Sequence, residues 1–246
     1  MTKMIKNGKV AIIIPARYAS ERLKGKLMIE VLEKPIIQWV WEIAKKSQLA
    51  DEVIIATDNK EIFDAARAFG ARVEMTSIDH KSGSDRICEV LTARPEFDYV
   101  VNLQGDEPSI TPEVIDLAIK NLINSDADIS TLVREITPEQ AENPNCVKCV
   151  LDNAFNALYF SRSKIPYERN SGAAKIYGHI GIYGYKKEVL MKLTSLPQAD
   201  LELAESLEQL RALKNGFKIK VAVTSLNPIG IDTKEDLEEF KKRVAA

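Results

Sequence analysis

Two hydrophobic rhythms alternate along the first half of the chain. Val10 to Ile14, Val53 to Thr57 and Tyr99 to Leu103 are short runs in which nearly every position is apolar. Such runs suit strands buried on both faces of a parallel sheet. Between them the period lengthens to that of helices. Pro35 to Ser47 reads as a helix with proline in its first turn. Asp58 is placed to cap a helix reaching Phe69, with Gly70 as its stop. Arg72 to Thr76 is a short strand, and Ser82-Gly83-Ser84 opens a helix from Asp85 to Arg94. Thr111-Pro112-Glu113 is a cap followed by proline at the first helical position. This β-α-β-α order predicts an α/β fold, a doubly wound and mostly parallel central sheet.

After about residue 126 the rhythm changes. Ile129 to Val133, Cys146 to Leu151 and Ala157 to Phe160 read as strands with little helix between them, and Asp152-Asn153 turns the last pair. Ser171-Gly172-Ala173-Ala174 is small and polar enough for a mobile loop. Ile176 to Tyr185 is a glycine-punctuated strand, as expected where a ligand or a neighbouring backbone closes in. Leu203, Leu207, Leu210 and Leu213 form the stripe of one helix, with Glu205 and Gln209 together on another face. Phe217 to Val223 is a further strand, and Thr233 to Asp236 is a capping-box variant opening the last helix. With no internal repeat, low-complexity tract or clear linker, residues 1–246 are expected to form a single domain. Residues 135–185 form its β-rich excursion.

Composition narrows the function classes. A chain of 246 residues with 45% hydrophobic content can bury a substantial core. A net charge of −2 argues against broad nucleic-acid binding, which rests on phosphate neutralisation. No run approaches the roughly 20 apolar residues that span a bilayer. Val10 to Ile14 is too short for the apolar core of a signal peptide, so no membrane insertion and a cytoplasmic location are expected. Cys146 and Cys149 make a single C-x-x-C without further zinc ligands nearby, which favours packing over metal binding.

The candidate chemistry gathers at strand ends. Arg17, Arg22, Lys24 and Lys26 follow the first strand with only Glu21 to offset them. By composition alone this is an ordinary solvated basic loop. Its position favours a polyanion, most simply a triphosphate, because it lies at the carboxyl end of a strand, where open α/β sheets hold ligands and where four cations repel each other without an anion. Neither G-x-G-x-x-G nor G-x-x-x-x-G-K-[ST] is present there, which disfavours dinucleotide dehydrogenases and P-loop NTPases. Asp106 and Asp232 each follow a strand and suit magnesium, which takes one or two carboxylates plus phosphate and water. Each also reads as a turn residue or helix cap. Ser82-Gly83-Ser84 could present backbone groups to a nucleobase edge or serve as an ordinary helix start. Arg162 could fork onto a carboxylate, and His179 lies among glycines that leave room for a ligand.

These motifs occur in a recognisable order: Pro15-Ala-Arg to Lys26, Ala56-Thr-Asp58, Ser82-Gly-Ser-Asp-Arg86, Gln104-Gly-Asp-Glu-Pro108, Ala157 to Arg162, His179-Ile-Gly-Ile-Tyr-Gly-Tyr185, Leu207 to Arg211 and Gly230-Ile-Asp-Thr233. Together they resemble the 3-deoxy-manno-octulosonate (KDO) cytidylyltransferase family, also called CMP-KDO synthetases, over nearly the whole chain. The resemblance implies a nucleotidyltransferase, Rossmann-like fold and transfer of CMP from CTP to KDO with Mg2+, feeding lipopolysaccharide assembly. It implies that Arg17, Arg22 and Lys26 hold the triphosphate, and that Ala56, Asp58, Ser82, Gly83 and Ser84 surround the cytidine. Pro15, Ala16 and Gln104 would complete the nucleotide pocket. Asp106 and Asp232 would bind magnesium, with Arg17, Lys26 and both aspartates catalytic. Arg162, His179, Tyr183 and Gln209 would face the sugar acid. Members are usually homodimers, with the excursion the expected contact. Lys24 stands where the family usually has proline, and Gly178 where lysine is common.

Overall fold

A computed structural model describes residues 8–18, 23, 25–170 and 172–245. Arg22 and Lys24 of the cationic loop, and Ser171 of the expected mobile loop, lie outside the described residues. The chain divides into two compact units, residues 1–116 with 228–246, and residues 117–227.

The first unit is built on β1 (Val10–Ala16), every residue of which is buried. After a single 3-10 turn (Lys26–Met28) and a small antiparallel pair, β2 (Glu30–Val31) and β3 (Lys34–Pro35), comes α1 (Ile36–Ala44). Then follow β4 (Glu52–Thr57), α2 (Lys60–Ala68), β5 (Arg72–Met75), α3 (Gly83–Ala93) and β6 (Tyr99–Asn102), and the division into units falls within α4 (Pro112–Ile123). The strand order β6-β1-β4-β5 is parallel throughout. The chain leaves β1 toward β4 and β5, then returns to lay β6 on the other side of β1. Right-handed crossovers in opposite directions put their helices on opposite faces, so this part is doubly wound as expected. The reversal lies between β1 and β6, which makes their carboxyl ends the ligand crevice of such a sheet.

β1 runs further than its apolar pattern suggests, through Pro15 to Ala16 beside Ala56 and Thr57. The β6 ladder ends at Ile13 opposite Asn102, where Ile13 O accepts from Leu103 N. Pro15 shares the orientation of Ile13, so its missing N–H falls on the side where pairing has already stopped. The cap of α2 also differs from expectation. Asn59, not Asp58, accepts from Ile62 N at 3.1 Å. Gly70 follows the helix at φ 83°, a backbone state that glycine adopts without strain.

The second unit contains β7 (Ile129–Ile136), α5 (Pro138–Ala141), β8 (Lys148–Leu151), β9 (Ala157–Ser161), β10 (Ile176–Lys186), α6 (Lys187–Ser195), α7 (Asp200–Glu205), α8 (Gln209–Lys214) and β11 (Ile219–Val223). β11 is parallel to β7, while β10 is antiparallel to β7 and β8, and β9 is antiparallel to β8. The glycines of β10 admit neighbouring side chains. A Cβ at Gly178 would stand 2.8 Å from Ile136 and 3.1 Å from Cys146, and one at Gly184 would stand 2.6 Å from Ser130 Oγ. This supplies a packing reason for glycine at 178. Cys146 packs there and Cys149 is buried; both are free thiols. The chain then returns to the first unit with α9 (Lys234–Ala245), opened by the expected box in which Thr233 Oγ1 accepts from Asp236 N and Asp236 accepts from Thr233 N.

The leucine stripe does not make one helix. α7 and α8 are separated at Ser206, which has a φ of 52°, and Leu203 is 61% exposed. The pair that closes the two helices is polar: Arg211 forks onto Glu202 at 2.8 and 2.5 Å, with both side chains buried. Nine positions along one straight helix would separate these residues by about 13 Å, so the ion pair requires the break. We expect Arg211→Ala to lower unfolding free energy by about 3–5 kcal/mol in denaturant titrations, because it leaves Glu202 buried without its counter-ion.

Candidate active site

The crevice at the ends of β1 and β6 brings together residues far apart in sequence. Gly83 and Gly105 both close on the end of β1: a Cβ at Gly83 would stand 3.2 Å from Pro15 Cγ, and one at Gly105 would stand 3.3 Å from Pro15 O. Arg17 follows directly and is exposed. Gly25, at φ 64°, turns the chain beneath the Tyr18 ring and starts the 3-10 turn that carries Lys26.

Lys26 Nζ donates to Asp106 Oδ2, to Asp232 Oδ1 at 3.0 Å and to Ile231 O at 2.9 Å. Burial opposes its charge, but the Asp106 and Asp232 carboxylates outweigh that and raise its pKa. The Gly230–Asp232 segment is held by Ile231 N donating to Asp106 O at 2.8 Å, and by Asp232 N donating to Asp236 Oδ2 at 3.0 Å. Two carboxylates from separate segments therefore converge on one cation. That donor set fits magnesium, which is satisfied by one or two carboxylates when phosphate oxygens and water supply the rest. Among the described residues no group of three or more His, Cys, Asp or Glu side chains is placed to hold a metal ion.

Glu107 joins this cluster, and sequence reasoning passed over it. Burial, then the charges of Asp106 and Asp232, push its pKa up to about 8, with Lys26 pulling the other way. Its Oε2 is buried without a hydrogen-bond partner. A Cβ at Gly230 would stand 2.9 Å from Glu107 Oε1, so the glycine of Gly230-Ile-Asp-Thr233 makes room for this carboxyl.

On the other side of β1, Ala56 and Thr57 end β4 fully buried. Asp58 Oδ2 accepts from Arg86 Nη2 at 2.5 Å, and the Arg86 side chain is wholly buried. Arg86 also donates to Thr76 Oγ1 and, at 3.4 Å, to Ser77 O. Ser82 is the N-cap of α3, reciprocated by Asp85, so Gly83 is the first helical residue and Ser84 is buried. Gln104 Nε2 donates to Asn102 Oδ1 at 3.0 Å. The missed signal at Arg86 was its place on the stripe with Ile87, Val90 and Leu91, where a cation needs a buried acid.

The second unit holds the other expected residues. Thr131 Oγ1 lies 2.9 Å from His179 Nε2, and His179 N donates to Val147 O at 2.7 Å. The imidazole stands edge-on to Phe160 and tilted against Tyr183, each at 5.2 Å between centroids. Burial drives the His179 pKa down to about 3. Burial, then the neighbouring Tyr185 and Glu208, raise that of Tyr183. The Arg162 guanidinium is engaged with main-chain carbonyls: Glu205 O at 2.6 Å, Pro144 O at 3.1 Å and Ser206 O at 3.4 Å. Glu205 itself accepts from Ser161 Oγ at 2.7 Å and Arg162 N at 2.8 Å. Glu205 thus ends α7 while Gln209 begins α8, and the shared helical face read from their spacing does not exist. Lys148, also unanticipated, is buried and donates to Asn143 O at 3.1 Å and Arg162 O at 2.5 Å.

The profile of the cytidylyltransferase family matches residues 11–219. A 3-deoxy-manno-octulosonate cytidylyltransferase from Bacteroides thetaiotaomicron is 47% identical, over 94% of this chain and 97% of its own length. One from Geobacter metallireducens is 45% identical, over 96% and 98%. This chain belongs to the 3-deoxy-manno-octulosonate cytidylyltransferase family. A solved structure of CMP:2-keto-3-deoxy-manno-octonic acid synthetase complexed with CTP matches with a TM-score of 0.93 at 40% identity, covering 96% of this chain and 98% of that one. The 4-diphosphocytidyl-2C-methyl-D-erythritol synthase of Anaerococcus prevotii shares the fold, with a TM-score of 0.63 at 16% identity and coverage of 97% and 96%. The mostly parallel α/β nucleotidyltransferase fold expected from the family's motifs is therefore the one this chain adopts.

The depressed pKa of His179 has a consequence for stability. An unfolded imidazole takes up a proton near pH 6.5 while the folded one resists until about 3, so protons favour the unfolded chain between these values. This contribution is complete above pH 6.5 and is lost as pH falls toward 3. We expect thermal midpoints measured across that window to fall more steeply for the wild type than for His179→Gln.

Proposed function

We propose that this chain transfers CMP from CTP to the anomeric hydroxyl of KDO, forming CMP-KDO and releasing pyrophosphate. The observation that carries the reading is the convergence of Asp106 and Asp232 on one cation at the mouth between β1 and β6, in a member of this family. The hydroxyl oxygen attacks the α-phosphorus in line, the α–β phosphoanhydride bond breaks, and the hydroxyl proton leaves to solvent or a base. Catalysis of this kind is mostly positioning and charge neutralisation.

Asp106 and Asp232 hold magnesium, which when bound neutralises triphosphate charge and eases ionisation of the attacking hydroxyl. Arg17 and Lys26 stabilise negative charge on the departing pyrophosphate, with Arg22 assigned to the same triphosphate. Pro15, Ala16, Ala56, Gln104 and the Ser82-Gly83-Ser84 helix start line the nucleotide. The Arg86 pair holds Asp58 in a fixed rotamer there. His179, Tyr183 and Gln209 face the sugar acid. Arg162 contributes through the N–H groups that its main-chain bonds leave over. The product feeds lipopolysaccharide assembly in the cytoplasm, and the working form is a homodimer. Exposed Phe155 and Leu158, within the 135–185 excursion, support a partner contact there.

Two measurements test the reading. Pyrophosphate release should require CTP rather than UTP and be fastest with KDO among KDO, its 8-amino analogue and nonulosonates; another preferred acceptor would reassign the substrate. Asp106→Asn should retain the wild-type circular dichroism spectrum and lose at least about a hundredfold in kcat, the scale of removing one charge-stabilising group. Near-normal turnover at saturating magnesium would remove Asp106 from the metal role.

A further inference from the structure

Thr131 is fully buried at an irregularity in the β7–β10 ladder. Ile180 pairs with Leu132, but the next pair is Tyr183 with Thr131, so Gly181 and Ile182 are extra residues on β10. The bulge turns main-chain carbonyls toward the threonine hydroxyl: Ile182 O lies 2.8 Å from Oγ1 and Ile180 O 3.4 Å. The third neighbour is His179 Nε2 at 2.9 Å.

A hydroxyl has one proton to donate, and carbonyl oxygens can only accept. Were that proton turned to the ring, Oγ1 and Ile182 O would face each other at 2.8 Å with lone pairs alone, a repulsive contact between buried acceptors. The proton therefore goes to Ile182 O. The ring nitrogen must then bring its own proton, so Nε2–H donates to Oγ1. A neutral imidazole carries one N–H, which leaves Nδ1 as a bare acceptor. The Phe160 and Tyr183 rings flank the imidazole and restrict its rotation.

We propose that Thr131 is a positioning residue that locks His179 in the Nε2–H tautomer, so that Nδ1 accepts a hydrogen bond from a hydroxyl of the bound sugar acid. This rests on the functional reading for the identity of the ligand, though the tautomer itself does not. It assigns His179 the recognition of a hydroxyl donor rather than a carboxylate, which a bare nitrogen would repel.

The chain has two histidines, so the imidazole nitrogens of His179 can be assigned in nitrogen-correlated NMR spectra by comparison with His80→Gln. Near pH 7 we expect Nε2–H in the wild type and in Thr131→Ser, and a mixed or reversed tautomer in Thr131→Val. In the CTP-dependent assay, Thr131→Val should raise KM for KDO about tenfold, the equivalent of about 1.4 kcal/mol. Its kcat and KM for CTP should stay near wild type, and Thr131→Ser should restore the KM for KDO. An Nδ1–H tautomer in the wild type overturns the proposal whether or not the valine variant folds. So does a valine variant that keeps the Nε2–H tautomer, or one that changes tautomer without changing the KM for KDO. A wild-type enzyme that releases no pyrophosphate with any sugar acid would sink the functional reading instead, and the spectra would still decide the role of Thr131.

Discussion

The first unit depends on one electrostatic constraint: two aspartates from distant segments must share a positive charge. Asp106 follows β6 and Asp232 precedes α9, and Lys26 sits between them with its third proton on Ile231 O. Without a cation the two carboxylates would repel each other across a partly buried gap. The surrounding backbone serves that convergence. Gly105 lets the turn after β6 approach Pro15, and Gly230 lets the segment before α9 pass over Glu107. The Lys26 ammonium supplies that cation and satisfies both carboxylates.

Several groups that look available to a ligand in the sequence are internally engaged in the structure. Asp58 neutralises Arg86, and Arg162 ties Glu205, Ser206 and Pro144 together through their carbonyls. Arg211, in the same motif as Gln209, is the counter-ion of Glu202. A buried charge with its partner removed is costly, so these arginines hold the shape of loops that present other residues. Within the second unit the rings of His179, Tyr183 and Tyr185 follow one another with centroids 5.2 and 5.8 Å apart.

The glycines of β10 illustrate how one signal can have two causes. A run of glycines in a strand marks close approach by something. Here Ile136, Cys146 and Ser130 do the approaching at Gly178 and Gly184. Gly181 meets nothing within 4 Å of a notional Cβ and lies in the bulge that orders Thr131 and His179.

Much of the fold was legible because local pattern and burial agree in a parallel sheet. The continuous apolar runs became β1, β4 and β6, and proline, glycine and Ser/Thr caps bounded the helices. The position of Asp106 just after β6 was legible for the same reason, whereas Asp232 stands in an irregular segment before α9 and Lys26 in a 3-10 turn, neither at a strand end. What the sequence could not determine was which charges meet. Glu202 with Arg211, Asp58 with Arg86 and Glu107 beneath Gly230 are choices made by tertiary packing. Hydrophobic periodicity reports which side of an element leaves water, and it cannot say which distant partner makes burial of a charge tolerable. That is why the leucine stripe read as one helix broke into two, and why the tautomer of His179 appears only once the bulge has set two carbonyls against Thr131.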